Sequence, residues 1–303
     1  MQRRSFMTAA LAAGAWAQGP AAAAAGPVLR RTIPRSGESL PAVGMGTWLT
    51  FDVPVGDPAA MARRRQVLER FFAAGGGLVD SSPMYGSAEQ VLGELLGELP
   101  PARAGGQLFA ATKVWTPLEA YGEVQMRRSL QLWRLPRFDL LQVHNLLNWR
   151  AHLKTLRAWQ ERGLVRHIGV TTSHGNKHEE MARVLRSERL DVLQITYNPV
   201  DTSAEPLMRL AADRGMAVVV NRPFDGGALL QRLRGRPLPG FATELGASNW
   251  AQLVLKWELA HPAVTCAIPA TTQAAHMDEN MGALRGPLPD ARLRARLSEA
   301  FAA

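Results

Sequence analysis

A single cysteine, Cys266, excludes an intramolecular disulfide and a cysteine-based zinc site. Lysine is nearly as scarce: Lys113, Lys154, Lys177 and Lys256 are four among 35 basic residues. The net charge of +9 therefore rests on scattered arginines, with no basic run interleaved with aromatics, and nucleic acid is not an expected partner. No apolar run reaches the roughly 20 residues that span a bilayer, so no stable membrane insertion is expected of the mature protein. A dinucleotide fingerprint is incomplete as well. Gly44-Met45-Gly46-Thr47-Trp48 supplies two glycines, but Leu49 stands where the third belongs. What the chain does have is an apolar share of 47%, ample for one sizeable core and too high for disorder.

Residues 1–27, MQRRSFMTAALAAGAWAQGPAAAAAGP, read as a segment apart from the fold. Arg3-Arg4-Ser5-Phe6-Met7 is a twin-arginine pattern, and the alanine tract after it suits A-x-A cleavage. The plainer reading is a disordered alanine-rich tail. The export reading makes the twin-arginine machinery a partner and the periplasm the destination. That route carries folded proteins, which suits a protein that takes up a cofactor in the cytoplasm.

Residues 28–303 read as one repeating domain. Two short extended runs flank Ser36-Gly37, a hairpin signal. An amphipathic helix over Met61–Ala74 stops at Gly75-Gly76-Gly77. Strand-like runs then end near Val79, Thr112, Val143, Val170, Thr196, Val220 and Ile268. Helical patterns follow from near Ser87, Leu118, Trp149, His178, Ala204, Ser248 and Thr272. Ser87 with Gln90 three residues on has the form of a capping box. Two helices finish alike, at Arg162-Gly163-Leu164 and Arg214-Gly215-Met216, with glycine as the C-terminal cap. With the strand at Gly44–Trp48 there are eight strand–helix units, and the spacing predicts an α/β fold of the (β/α)₈ barrel type. The interval Asp225–Ala247 is punctuated by Gly and Pro and is expected to be a loop, of a length often used as a lid.

In such a barrel the active site lies at the C-terminal ends of the strands. Three consecutive strand ends carry polar residues there: Asp80, Lys113 and His144, with Tyr85 in the turn after Asp80. A lysine closing a buried strand needs a partner, because an isolated buried ammonium is costly. Asp80 can pair with it, Lys113 is expected to lower the Tyr85 pKa, and His144 can orient a substrate oxygen. Each residue has a plainer reading, as a loop cap, a stacked tyrosine or a satisfied strand-end histidine. His174 and His178 are four apart, a metal-binding spacing on a helix, but no third ligand accompanies them.

LVDSSPMYG, FAATKVW, DLLQVHN, LQITYNPV and IPATTQAAHMDEN together resemble the aldo-keto reductases over roughly Leu40 to Leu284. The resemblance implies a barrel that binds NADP(H), or NAD(H), in extended form and reduces a small carbonyl substrate to the alcohol. It makes Tyr85 the general acid, Lys113 and Asp80 its tuners, and His144 the carbonyl-orienting residue. Gly46, Thr47 and Trp48 would line the cofactor, and Asp80 would also face it. Thr171 and Thr172 stand where Ser-Asn is usual. Gln194 would bond the nicotinamide amide. Asn221 replaces a stacking tyrosine. Arg222, Pro223, Phe224 and Gly226 would follow the pyrophosphate. Pro269, Ala270, Thr271, Thr272, His276, Glu279 and Asn280 would hold the adenosine end, where Ala270 and His276 replace the usual Lys and Arg. Trp48, Trp115 and Asn145 would form the substrate wall. A non-catalytic nicotinamide-binding sensor or partner subunit on the same barrel, and a hydrolase or lyase using Asp80 and His144, are the alternatives.

Overall fold

The computed structural model describes residues 26–99 and 107–302. The twin-arginine pattern and the alanine tract lie outside these residues.

The expected hairpin is present. Strand β1 (Arg30–Thr32) pairs antiparallel with β2 (Ser39–Pro41), and Gly37 turns at φ +72°. Eight parallel strands follow: β3 (Met45–Gly46), β4 (Leu78–Asp80), β5 (Phe109–Val114), β6 (Phe138–His144), β7 (Val165–Thr171), β8 (Val192–Thr196), β9 (Ala217–Asn221) and β10 (Val264–Ala267). Each is hydrogen-bonded to the next in sequence order. The sheet closes on itself where Val43 bridges Ala267, with Gly44 N donating to Ala267 O at 2.8 Å and Gly46 N to Pro269 O at 3.0 Å. The result is the single (β/α)₈ barrel that the spacing predicts.

The outer helices are α1 (Pro58–Ala73), α2 (Ala88–Glu98), α3 (Glu119–Trp133), α4 (Trp149–Glu161), α5 (His178–Ser187), α6 (Glu205–Asp213), α7 (Ala228–Leu233), α8 (Trp250–Leu259), α9 (Ala274–Gly282) and α10 (Ala291–Ala302). Helix α1 starts three residues before the expected Met61. Asp57 caps it, accepting from Ala59 N and Ala60 N at 3.0 Å each, and Pro58 occupies the first turn. The glycine caps are as expected. Gly163 and Gly215 both sit at φ +71°, and the residue after each donates five back, Leu164 N to Trp159 O and Met216 N to Ala211 O at 2.9 Å.

Two local expectations fail. Ser87 does not form a capping box: its hydroxyl donates to the Val53 carbonyl at 2.7 Å, and Gln90 reaches Glu94 instead. A loop acceptor outside the helix captures the hydroxyl. The interval Asp225–Ala247 is not a structureless loop either. It folds into a 3₁₀ turn (Asp225–Gly227), helix α7 and a second 3₁₀ turn (Gly240–Ala242), because Leu229, Leu233, Phe241 and Leu245 all have core to bury against.

The barrel interior is layered by the two-residue strand period. Leu78, Phe109, Leu140, Val192 and Ala217, at the starts of their strands, pack with Ile33 and Leu40 of the hairpin, which plugs the N-terminal mouth. Two or four residues further on, the same faces carry Asp80, Lys113, Gln142, His144 and Gln194. The apolar floor thus passes directly into a polar layer at the C-terminal end.

Candidate active site

Lys113 is the centre of that layer. Its side chain has no solvent exposure, and its Nζ donates to Asp80 Oδ2 at 2.5 Å and to the Ser81 carbonyl at 2.8 Å. Burial pulls the Lys113 pKa down, but Asp80 and Tyr85 together outweigh it and hold it above the ordinary lysine value. The ammonium also lies 5.0 Å from the Tyr85 ring centre. Asp80 is fixed from its other side too, because its Oδ1 takes Gln142 Nε2 at 3.1 Å and Gln194 Nε2 at 3.0 Å.

Tyr85 corrects one expectation. Burial raises its pKa, and the opposing pull of Lys113 does not cancel that rise. The phenol therefore holds its proton throughout the neutral range. The His144 ring meets the Tyr85 ring edge-on, with centroids 6.0 Å apart. Burial, helped by the Lys113 charge, drives the His144 pKa down to about 2, so the imidazole is neutral. Its Nδ1 lies 3.1 Å from Ser82 Oγ, which itself accepts from Met84 N at 3.4 Å. Assigning the tautomer from these bonds, the Ser82 hydroxyl donates to Nδ1 and leaves Nε2–H free.

These groups open into a cavity of about 1540 Å³. A single drug-sized ligand occupies a pocket of roughly 300–1,000 Å³, so there is room for an extended ligand and a second, smaller one. Of the residues expected from sequence, Gly46, Thr47, Trp48, Asp80, Tyr85, His144, Asn145, Thr171, Thr172, Gln194, Asn221, Arg222, Pro223, Phe224, Gly226, Ala270, Thr271, His276, Glu279 and Asn280 line it. Lys113 lies beneath the wall. Pro269, Thr272 and Trp115 are not part of the lining, and Trp115 stands 39% exposed beside it.

The lining fits an extended nicotinamide cofactor. Thr172 Oγ1 is buried without a partner and faces this space, a hydroxyl left for a ligand. A Cβ at Gly46 would come within 3.1 Å of the Ile268 carbonyl, so the glycine lets these two segments of the wall approach closely. Gln194 differs from its expected role in one respect. Its Nε2 is committed to Asp80 and its Oε1 accepts from Thr171 at 3.1 Å, so it braces the polar layer. Asn221 is likewise a brace, accepting from Thr196 Oγ1 at 2.7 Å and donating to the Thr172 carbonyl at 3.0 Å.

Several lining or supporting residues escape the sequence reading. Ser82 and Gln142 hold His144 and Asp80; the signal for Gln142 is one polar residue inside the apolar run DLLQVH. His174, Asn176, Lys177 and Arg234 line the rim. His174 and His178 are not on one helix: His174 sits in the loop at φ +60° and His178 opens α5. Non-glycine residues with positive φ concentrate here. Leu49, Asn145, Leu146, Asn148, His174, Lys177, Arg222 and Asp225 all follow strand C-termini, while Arg134 is at the end of α3. Each costs about 1–3 kcal/mol, strain that surrounding structure sustains chiefly at ligand sites.

Known proteins carry the same architecture. The solved aldo-keto reductase AKR11C1 from Bacillus halodurans, in its holo form, superposes with a TM-score of 0.74 at 19% identity, covering 91% of this chain and 96% of that one. An aldo-keto reductase from Klebsiella pneumoniae, in complex with NADPH, superposes with a TM-score of 0.75 at 21% identity, over 91% and 96%. In sequence, methylglyoxal reductase YeaE of Escherichia coli K12 is 28% identical over 277 residues, 88% of this chain and 92% of that protein. The sequence profile of the Aldo/keto reductase family matches residues 42–296. By that match, and by the barrel and polar layer it spans, the chain belongs to the Aldo/keto reductase family.

Proposed function

We propose that the protein is an NADP(H)-dependent oxidoreductase that reduces an aldehyde or ketone to the alcohol, with Tyr85 as proton donor. The observation that carries this reading is the wholly buried Lys113, held by Asp80 at 2.5 Å and lying 5.0 Å from the Tyr85 ring. Bound nicotinamide would supply the hydride. The chain's own residues supply the rest. His144 and Tyr85 both line the cavity, and the His144 Nε2–H and the Tyr85 hydroxyl would donate to one carbonyl oxygen, polarising it. Negative charge then grows on that oxygen, and the Tyr85 phenol gives it a proton. Lys113, charged and fixed beneath, stabilises the phenolate left behind. In the reverse direction the same phenolate is the base.

For the cofactor, Thr172, Gln194 and Asn221 would meet the nicotinamide end. Arg222 and Gly226 would meet the diphosphate, and Thr271, Glu279 and Asn280 the adenosine. NADP(H) is preferred in this proposal over NAD(H), in keeping with the Klebsiella relative's complex with NADPH. Residues 1–27 are proposed as a twin-arginine signal and the mature barrel as periplasmic. Titrating NADPH and NADH fluorescence, then following cofactor oxidation with a panel of aldehydes and ketones, tests the function. Saturable binding with carbonyl-dependent oxidation supports it. Tight binding with no cofactor oxidation on addition of any carbonyl would favour a non-catalytic binding role instead.

A further inference from the structure

Lys177 is a cation without a function in the reading above. It is one of only four lysines in the chain, and it lines the cavity from the loop between β7 and α5. Its backbone is held at φ +60°, so the position is imposed by the loop rather than relaxed. Its Nζ donates to the carbonyl of Asn145 at 2.9 Å. Asn145 is the residue directly after His144, and its own backbone is also left-handed, at φ +54°. Two left-handed loop backbones thus meet where the Lys177 ammonium holds the carbonyl of the residue that follows His144.

That ammonium forms one long, half-exposed ion pair and keeps free donors. Its acidic neighbour is Glu180, 3.8 Å away, whose other carboxylate oxygen already accepts from Trp149 Nε1 at 3.2 Å. Of three N–H donors, one is committed to the Asn145 carbonyl. The other charged groups on the wall are accounted for differently. Asp80 is bound to Lys113, Arg222 is paired with Asp225 at 3.1 Å, Arg234 ends α7 on the β9 side, and His276 and Glu279 stand on α9 beyond β10. A charged group left with free donors at the edge of a binding cavity is matched by an anion in the ligand.

We infer that Lys177 is a specificity residue, and that the substrates it selects carry a carboxylate a few atoms from the carbonyl: oxo acids and acid semialdehydes. This rests on the carbonyl-reducing reading of the site. With the carbonyl oxygen under Tyr85 and His144, the carboxylate meets Lys177 across Asn145. The diphosphate of a cofactor is a different anion. Its expected partners, Arg222, Gly226 and Thr271, hang from β9 and β10 rather than from the β6 and β7 loops.

The test compares 4-oxobutanoate with its methyl ester, the same aldehyde with and without the charge, in wild type, Lys177→Met and Lys177→Arg. Wild type is expected to favour the acid about tenfold in kcat/KM, the lower range for a hydrogen bond to a charged group. Lys177→Met raises the acid's KM about tenfold more than the ester's, and Lys177→Arg restores the preference. Equal use of acid and ester by wild type overturns the inference. So does a Lys177→Met variant that keeps the acid preference but binds NADPH more weakly, which would assign Lys177 to the cofactor. Calorimetric binding of unreactive succinate gives the same comparison without chemistry. Succinate that binds wild type and Lys177→Met alike refutes the inference even if no aldehyde turns over. Absence of NADPH oxidation with either aldehyde and with every other carbonyl tried, alongside Lys177-dependent succinate binding, would instead defeat the proposed reaction.

Discussion

Lys113 keeps its charge without water because Asp80 and the Ser81 carbonyl replace that water. Removing one member leaves the other charge buried and uncompensated. Lys113→Met should therefore destabilise the fold by about 3–5 kcal/mol. Adding Asp80→Asn removes the orphaned charge, so the double variant should unfold at higher denaturant than Lys113→Met alone. Chemical denaturation of wild type and these two variants checks this. At this scale the sequence was informative where a polar residue ends an apolar strand, as with Asp80, Lys113 and His144. It was silent on balance. The proximity of Lys113 to Tyr85 was legible, but not that burial would outweigh it and raise the phenol's pKa. Nor did sequence reveal Ser82 and Gln142 as supports, since their bonds link the β4 end to β6 across the intervening β5 and depend on register.

Among the elements, the two glycine-capped helices make the clearest case of local chemistry deciding local structure. No atom lies within 4 Å of a Cβ placed at Gly163 or Gly215, so only the left-handed backbone opposes a side chain there. Gly163→Ala and Gly215→Ala should each cost about 1 kcal/mol. Being on separate helices, the two effects should add within about 0.5 kcal/mol in the double variant's unfolding curve. Helix α8 poses the opposite case, because its polar residues are buried too. Both carboxylate oxygens of Glu258 lack partners, and burial raises its pKa well above the usual carboxyl value. A carboxyl whose folded pKa is raised keeps its proton in the fold and loses it when unfolded. Its contribution is thus fully present below the unfolded value, about 4.4, and declines as pH rises beyond it. His144, with its pKa depressed to about 2, acts in the opposite sense as pH falls below about 6.5. The difference between Glu258→Gln and wild type isolates the carboxyl. That difference should grow in the variant's favour by up to about 1.4 kcal/mol per pH unit above 4.4. An unfolding series from pH 4 to 8 measures it. Apart from α1, helix starts and strand ends were legible within a residue or two, because the periods of the apolar residues change there. The short helix and 3₁₀ turns between Asp225 and Ala247 were not, because glycine and proline mask a pattern that only the neighbouring core completes.

The whole molecule is a barrel that separates stability from chemistry along its axis. The hairpin residues Ile33 and Leu40 seal one mouth with an apolar plug, and the loops at the other hold the strained backbone around the cavity. The alternation of eight strand and helix patterns made this architecture readable. Closure through Val43 and Ala267 was not, since nothing in either residue names its partner. The proposed export of this folded unit has its own check. Replacing Arg3 and Arg4 with lysine should strand the precursor in the cytoplasm, and fractionation showing processed double variant in the periplasm would refute the twin-arginine route. The central claim is that the Tyr85 hydroxyl delivers the proton. Tyr85→Phe removes only that hydroxyl, so the barrel and the rest of the cavity should remain. The most direct measurement is the single-turnover rate of aldehyde reduction with Tyr85→Phe at saturating NADPH. A loss of roughly 10²–10⁴ against wild type is predicted; a rate within about threefold of wild type, far outside that range, would contradict it.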